Sequence, residues 1–291
     1  MLKSLILLWV LLYSALVNAQ SLLPVRGKTY IPISLKKDSA QLLVVIHGCH
    51  QSAQVMYDAT GWNEFAEQHN LLIYYPQVEK NSHPLDCWSW YLEQNQKPYS
   101  GQLDQIITDI ENIKTSYLLA STKVHVMGMS SGAITTGALL ACYPHFFTTG
   151  TLHSGLSYGL AQDATTALLV MAQGPQNYPS LGLCRPEEFT GKLFVIHGVA
   201  DNRVNYLHAN RVIEDFIGPL VAQESLGFER DSNFVLKKYY LQEKLKAQVL
   251  LVEKLGHAWG SLYNQQQTFD YFTPVGPSST DVIWNFIDES Y

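Results

Sequence analysis

Five short apolar runs rich in branched side chains recur along the chain, at Leu42-Leu43-Val44-Val45-Ile46, Leu71-Leu72-Ile73-Tyr74-Tyr75, Val124-His125-Val126-Met127, Leu193-Phe194-Val195-Ile196 and Val249-Leu250-Leu251-Val252. Runs that are continuously apolar, rather than alternating, suit strands covered on both faces. Between them lie stretches of helical period; in the clearest, Leu103, Ile106, Ile107, Ile110, Ile113 and Tyr117 make one apolar stripe. Buried strands alternating with amphipathic helices predict an α/β fold, with a mostly parallel central sheet flanked by helices. Residues 26–35 are expected to add an edge strand ahead of this core. Residues 173–186, broken by prolines and glycines, read as a surface excursion.

The chain opens with Met1-Leu2-Lys3-Ser4, an apolar run over residues 5–17, and Asn18-Ala19-Gln20. A run of about 13 residues falls short of the roughly 20 that span a bilayer, so residues 1–19 are expected to be a signal peptide cut after Ala19. Residues 20–291 then form one domain, secreted or periplasmic, with no stable membrane anchor after cleavage. Hydrophobic residues make up 47% of the chain and charged residues 15%, enough apolar material for a large core. A formal net charge of -6 supplies no basic stripe to neutralise phosphates, which argues against nucleic acid as a partner. Export also changes the meaning of the four cysteines, Cys49, Cys87, Cys142 and Cys184, which read as two disulfides with three pairings open. With no short Cys-x-x-Cys pair and no His-Glu-x-x-His, no metal site is expected.

The apolar run at Val124 leads straight into Gly128-Met129-Ser130-Ser131-Gly132 and then a segment able to form a helix. A serine held between glycines at a strand-to-helix turn is exposed for attack, and the helix start beyond it offers free backbone N–H groups to an oxyanion. Such a hydroxyl needs a base, and on this architecture the acid and the base follow the serine in that order. Two later strands end in His197-Gly198-Val199-Ala200-Asp201 and Leu255-Gly256-His257-Ala258-Trp259. Ser130 is therefore expected as nucleophile, Asp201 as orienting acid and His257 as base. Asp104 and Asp109 precede the serine and read as helix-face residues; His153 and His197 are ranked below His257, with His153 placed on the pocket wall. The turn His47-Gly48-Cys49-His50-Gln51 follows the first apolar strand. It is expected to give the second oxyanion donor, the N–H of Cys49 or failing that of His50, opposite the N–H of Ser131.

In these residues the chain resembles the polyhydroxybutyrate depolymerase family of secreted esterases, to which feruloyl and acetylxylan esterases are related. The marks are His47-Gly48-Cys49-His50-Gln51, Cys87-Trp88-Ser89-Trp90, Gly128-Met129-Ser130-Ser131-Gly132, Tyr143-Pro144-His145-Phe146-Phe147, His153-Ser154-Gly155-Leu156, His197-Gly198-Val199-Ala200-Asp201 and Gly256-His257-Ala258-Trp259, spread over residues 41–286. The resemblance implies an α/β-hydrolase fold and the same three catalytic residues. It also implies a bridge from Cys49 to Cys87, which leaves Cys142 for Cys184, and an ester-binding cleft lined by aromatic residues such as Trp88, Trp90 and Trp259. Trp88 and Trp90 alternate along the chain, so in an extended segment only one faces the cleft, and Trp88 beside the bridge is favoured. One departure is Ala133, where the family often has glycine.

These readings converge on a serine carboxylic-ester hydrolase that works through an acyl-enzyme and needs no cofactor. The expected substrate is an ester or polyester, foremost poly(3-hydroxyalkanoate) or its oligoesters, with feruloyl or acetylxylan esters as the alternative. A serine peptidase or a non-catalytic binding module on the same fold are the more distant readings.

Overall fold

The computed structural model describes residues 25–119, 122–175, 178–218, 227–230, 233–261 and 268–289, so the leader expected over residues 1–19 lies outside the described residues. The main strands are β1 (Gly27–Tyr30), β2 (Gln41–Ile46), β3 (Leu71–Pro76), β4 (Val124–Met129), β5 (Thr149–His153), β6 (Lys192–Gly198), β7 (Gly227–Arg230), β8 (Phe234–Leu241) and β9 (Lys244–Val252). They join in one nine-stranded sheet in the order β1-β3-β2-β4-β5-β6-β9-β8-β7. From β3 to β9 neighbouring strands run parallel. β1 lies antiparallel to β3 at one edge, as the edge-strand expectation had it, and β8 and β7 are antiparallel at the other.

Seven helices among the described residues pack around this sheet: α1 (Ala53–Ala59), α2 (Trp62–His69), α3 (Gly101–Tyr117), α4 (Ser131–Cys142), α5 (Ala164–Gln173), α6 (His208–Ile217) and α7 (Ser279–Asp288). Strand β2 shows why its residues had to be apolar without a break. Leu42, Val44 and Ile46 enter a cluster with Ile106 of α3, Ala138 of α4 and Val212 of α6. Leu43 and Val45 point the other way, to Met56 of α1, Trp62 of α2 and Phe286 of α7. Successive side chains of a strand alternate between faces, and both faces are covered here. Asp109, expected on a helix face, lies on the buried face of α3 and accepts hydrogen bonds from Tyr74 O–H at 2.6 Å and Arg26 N–H at 3.2 Å.

Strand β5 had no signal in the hydrophobic pattern, because its sequence Thr-Gly-Thr-Leu-His alternates rather than runs apolar. A Cβ at Gly150 would overlap the Leu140 side chain of α4, so the close helix-to-sheet approach excludes a larger residue there. The edge hairpin β8–β9 was missed in part for a related reason: β8 is mostly half-buried and carries Lys237 and Lys238.

The position of the site follows from strand order. From β2 the chain moves outward to β3, then returns to lay β4 on the other side of β2 and continues in that direction. Loops leaving the carboxyl ends of β2 and β4 therefore diverge, and a crevice opens between them. Ser130 follows β4 and His47-Gly48-Cys49 follows β2, so both stand at that crevice.

Candidate active site

Ser130 has φ 56° and ψ -121°, a backbone conformation that side-chain-bearing residues rarely adopt. Strain of this kind costs on the order of 1–3 kcal/mol and persists only where surroundings enforce it. They do so here: the Ser130 N–H donates to the His153 carbonyl at 2.9 Å, and the Ser130 carbonyl accepts from Ala133 and Ile134 N–H at 2.9 and 3.1 Å. The flanking glycines have separate reasons. A Cβ at Gly128 would overlap the Gly132 carbonyl across the turn, and one at Gly132 would overlap the Ile46 and His47 carbonyls of the neighbouring strand end. The Ala133 methyl is accommodated by Gly155, where a Cβ would come within 2.6 Å of it.

Three side chains from distant parts of the chain meet above this turn. His257 Nδ1 lies 2.7 Å from Asp201 Oδ2, and His257 Nε2 lies 2.9 Å from Ser130 Oγ. A carboxylate only accepts, so Nδ1 carries the proton and the lone pair of Nε2 faces the serine hydroxyl. The loops carrying Asp201 and His257 are pressed together: Ala200 N–H donates to the Leu255 carbonyl at 3.1 Å, and Gly198 leaves the room that a Cβ would take from it.

Asp201 has a full set of donors. Its Oδ1 accepts Arg203 N–H at 2.8 Å and Val204 N–H at 2.9 Å, and its Oδ2 lies 3.3 Å from His197 Nε2 as well as facing His257. His197 is fully buried, and its Nδ1 has no partner among the described residues. Its proton is therefore on Nε2, shared between Asp201 and the Val204 carbonyl at 3.0 Å. Burial alone works to raise the Asp201 carboxyl, but the hydrogen bonds from His197 and His257 outweigh it and hold the group well below the usual carboxylate range. His197 was ranked as a rival base; the structure puts it behind the acid instead.

The loop after β2 leans on the same turn. A Cβ at Gly48 would stand 3.1 Å from Ser130 Cβ, and the Gly48 N–H is bound by Gln51 Oε1 at 2.8 Å. His50 N–H donates to the Leu85 carbonyl at 2.8 Å, which spends the second of the two expected donors. No backbone acceptor among the described residues takes the N–H of Cys49 or of Ser131. Cys49 is bonded to Cys87, and Cys142 to Cys184, the pairings expected. His47 beneath the loop is buried, and the desolvation lowers its pKa to about 4, so it stays neutral. Its carbonyl accepts the Trp88 indole N–H at 3.0 Å.

A cavity of about 270 Å³ opens over Ser130 and His257. Its walls include Trp88, Trp90 and Tyr91 together with Ala167, Leu168 and Met171 of α5. Both tryptophans reach it, contrary to the expectation that only one could. Residues 87–89 carry no regular structure and the chain turns at 90–92, so the strand alternation that was to separate them does not apply. Two other expected substrate contacts are corrected. Trp259 is fully buried on the short strand β10 (Trp259–Gly260), paired with β11 (Phe272–Thr273), and is absent from the cavity wall. His153 is also fully buried, stacked on the Trp259 ring at 4.9 Å, with Nε2 3.0 Å from Ser279 Oγ. Desolvation first, and the nearby His197 and His257 second, push its pKa down to about 3. The rings of His153 and Trp259 packed together in the interior, while the wall residues of α5 gave no sequence signal beyond an ordinary helix.

A family model described as esterase PHB depolymerase matches residues 27–218. Among curated relatives, the poly(3-hydroxyalkanoate) depolymerase C of Paucimonas lemoignei is 28% identical over 185 residues, covering 61% of this chain and 44% of that protein. Feruloyl esterase B of Neurospora crassa is 28% identical over 201 residues, covering 62% and 65%. Acetylxylan esterase A of Aspergillus oryzae is 26% identical over 185 residues, covering 59% of each. The chain thus matches 44% to 65% of the length of these relatives. Among solved structures, an acetyl xylan esterase from Aspergillus awamori superposes with TM-score 0.66 at 20% identity, covering 79% of this chain and 87% of that one. A poly(3-hydroxybutyrate) depolymerase from Bordetella parapertussis gives TM-score 0.51 at 17% identity, covering 79% of each. The fold is that of the α/β-hydrolases.

Proposed function

The chain belongs to the esterase PHB depolymerase family, and from that premise we propose that it hydrolyses carboxylic esters through an acyl-enzyme formed on Ser130. The observation that carries the reading is the unbroken line of hydrogen bonds from Ser130 through His257 to Asp201 on the floor of an apolar cavity.

In this reading Ser130 Oγ attacks the ester carbonyl carbon while His257 Nε2 takes its proton. Asp201 keeps the imidazole in the required tautomer and offsets the positive charge it gains. The carbonyl oxygen becomes an oxyanion between the N–H groups of Cys49 and Ser131; one such donor is typically worth a hundredfold or more in rate. His257 then passes the proton to the departing alcohol oxygen as the ester bond breaks. A water, deprotonated by the same imidazole, attacks the acyl-enzyme and frees Ser130. No step calls for a metal or an organic cofactor.

The expected substrates are poly(3-hydroxyalkanoate) chains or their short oligoesters. The support is the wall of Trp90, Ala167, Leu168 and Met171, which suits methylated, uncharged repeat units. The neighbouring rings of Trp90 and Tyr91, 5.6 Å apart, also suit a feruloyl group, and that observation keeps phenolic esters as the second reading. The two disulfides support an oxidising, extracytoplasmic setting. The test is turnover of p-nitrophenyl butyrate by the wild type and by Ser130→Ala. We expect the variant to lose at least about a thousandfold in kcat/KM, roughly 4 kcal/mol. A loss under about tenfold contradicts the nucleophile assignment.

A further inference from the structure

Of the described side chains lining the cavity over Ser130, one carries a permanent charge, and it is a cation: Arg203. The rest are apolar, aromatic, amide, hydroxyl or imidazole groups. The sign is not what composition favours, since the chain has 25 acidic residues against 19 Lys and Arg. The main chain of Arg203 is pinned two residues beyond the acid, its N–H donating to Asp201 Oδ1 at 2.8 Å. The next residue, Val204, is fully buried beside Trp90, Ala167 and Val170. The Arg203 side chain by contrast is exposed, and no carboxylate among the described residues lies within ion-pair distance of it. The loop thus fixes the Arg203 main chain at the rim of an apolar cavity, and its exposed guanidinium has no carboxylate partner among the described residues.

A guanidinium so placed finds no charge to pair with on an acetylated sugar or in the neutral interior of a polyester. It matches a carboxylate, which it meets with two parallel N–H donors. We propose that Arg203 forms a carboxylate subsite that holds the free acid end of a short hydroxyacid oligoester. The apolar body of the oligomer lies along Trp90, Leu168 and Met171, and the ester nearest the acid end is presented to Ser130. This rests on the ester-hydrolase reading above and narrows its substrate from polyester in general to soluble, acid-terminated oligomers. The bonds balance as in any acyl transfer. The Ser130 ester forms, the oligomer ester C–O bond breaks, the terminal hydroxyacid leaves with the proton from His257, and water then releases the remaining acyl unit.

The experiment compares a linear 3-hydroxybutyrate trimer as its free acid with the same trimer capped as a terminal carboxamide, which is neutral and adds no ester. Wild type, Arg203→Gln and Arg203→Lys are measured at low salt and at roughly 0.5 M NaCl, where charge pairing at a rim is screened. We expect the wild type to favour the acid by about fivefold in kcat/KM, carried by KM, the upper range for a partly exposed ion pair. Salt reduces the ratio, Arg203→Lys keeps part of it, and Arg203→Gln brings it to about one. Because the ratio is taken within each variant, any general loss of activity or stability cancels. Equal treatment of acid and amide by the wild type, or an unchanged ratio in Arg203→Gln, overturns the subsite while leaving the esterase reading in place. If the wild type turns over neither trimer nor p-nitrophenyl butyrate, the esterase reading falls and the subsite with it.

Discussion

Ser130, Asp201 and His257 follow the carboxyl ends of β4, β6 and β9, and each is held by backbone donors or buried side chains. Trp90, Leu168, Met171 and Arg203 above them stand on irregular turns, on helix α5 and on the loop after β6, with Leu168 67% exposed. The floor of the cavity is thus an extension of the sheet, and its wall is an addition to it. In the floor a displaced atom disturbs reacting groups, where small misplacements are costly. In the wall a changed side chain alters which acyl or alcohol group fits and leaves the proton path in place. Rate and specificity should accordingly separate by region.

The strongest challenge to that separation short of the triad itself is His197. Replacing it with leucine removes one of the two side-chain hydrogen bonds that hold Asp201 low. Asp201 then takes up its proton at higher pH, and the ionised form that holds the His257 tautomer is less favoured. We expect kcat to fall about tenfold with KM little changed, a loss near 1.4 kcal/mol. His197→Gln, whose amide N–H can reach toward Asp201, should recover most of the rate. If the leucine and glutamine variants lose kcat equally, His197 only fills space.

The two disulfides sharpen the comparison, because they close loops of similar size, with sequence separations of 38 and 42. In the chain-entropy view each contributes roughly 4 kcal/mol of stability, so unfolding experiments should scarcely distinguish their removal. Activity should. Cys49→Ser with Cys87→Ser loosens the segment that carries the Cys49 N–H and the Trp88 wall, and we expect a several-fold fall in kcat measured below the unfolding transition. Cys142→Ser with Cys184→Ser, which frees the end of α4 from the excursion before β6, should leave kcat within about twofold. Equal losses in both pairs would mean that the oxyanion loop is held by its other contacts.

The smallest effect belongs to the wall. Leu168→Ala removes apolar surface that is already partly exposed, so at about 25 cal/mol per Å² the cost is only a few tenths of a kcal/mol. We expect kcat/KM for a butyrate or longer ester to fall two- to threefold, and that for an acetate ester to fall less. A drop of tenfold or more in kcat for the acetate would show that the wall and the floor are coupled.

Legibility in the sequence divides along the same line. Five of the six parallel strands were readable because burial on both faces forces a continuous apolar run, and the sixth, β5, was not, because Gly150 and two threonines take its place. Gly128, Ser130 and Gly132 were readable because only glycine permits the contacts made across that turn. Asp201 and His257 followed from their place just past the apolar runs of β6 and β9. Trp259 and His153 were misplaced because a strand-end position does not say whether a ring turns up into a cleft or down into a core. Leu168, Met171 and Arg203 left no pattern at all, since their role comes from α5 and the loop after β6 converging in space.

The account turns on Ser130 as the one serine made nucleophilic by its setting, and covalent labelling with a fluorophosphonate followed by peptide mapping tests this most directly. We predict one equivalent of label, carried on Ser130, in the folded wild type and next to none in His257→Ala, where the base is gone. Label on another residue, or full ester turnover in protein whose Ser130 remains unlabelled, would contradict it.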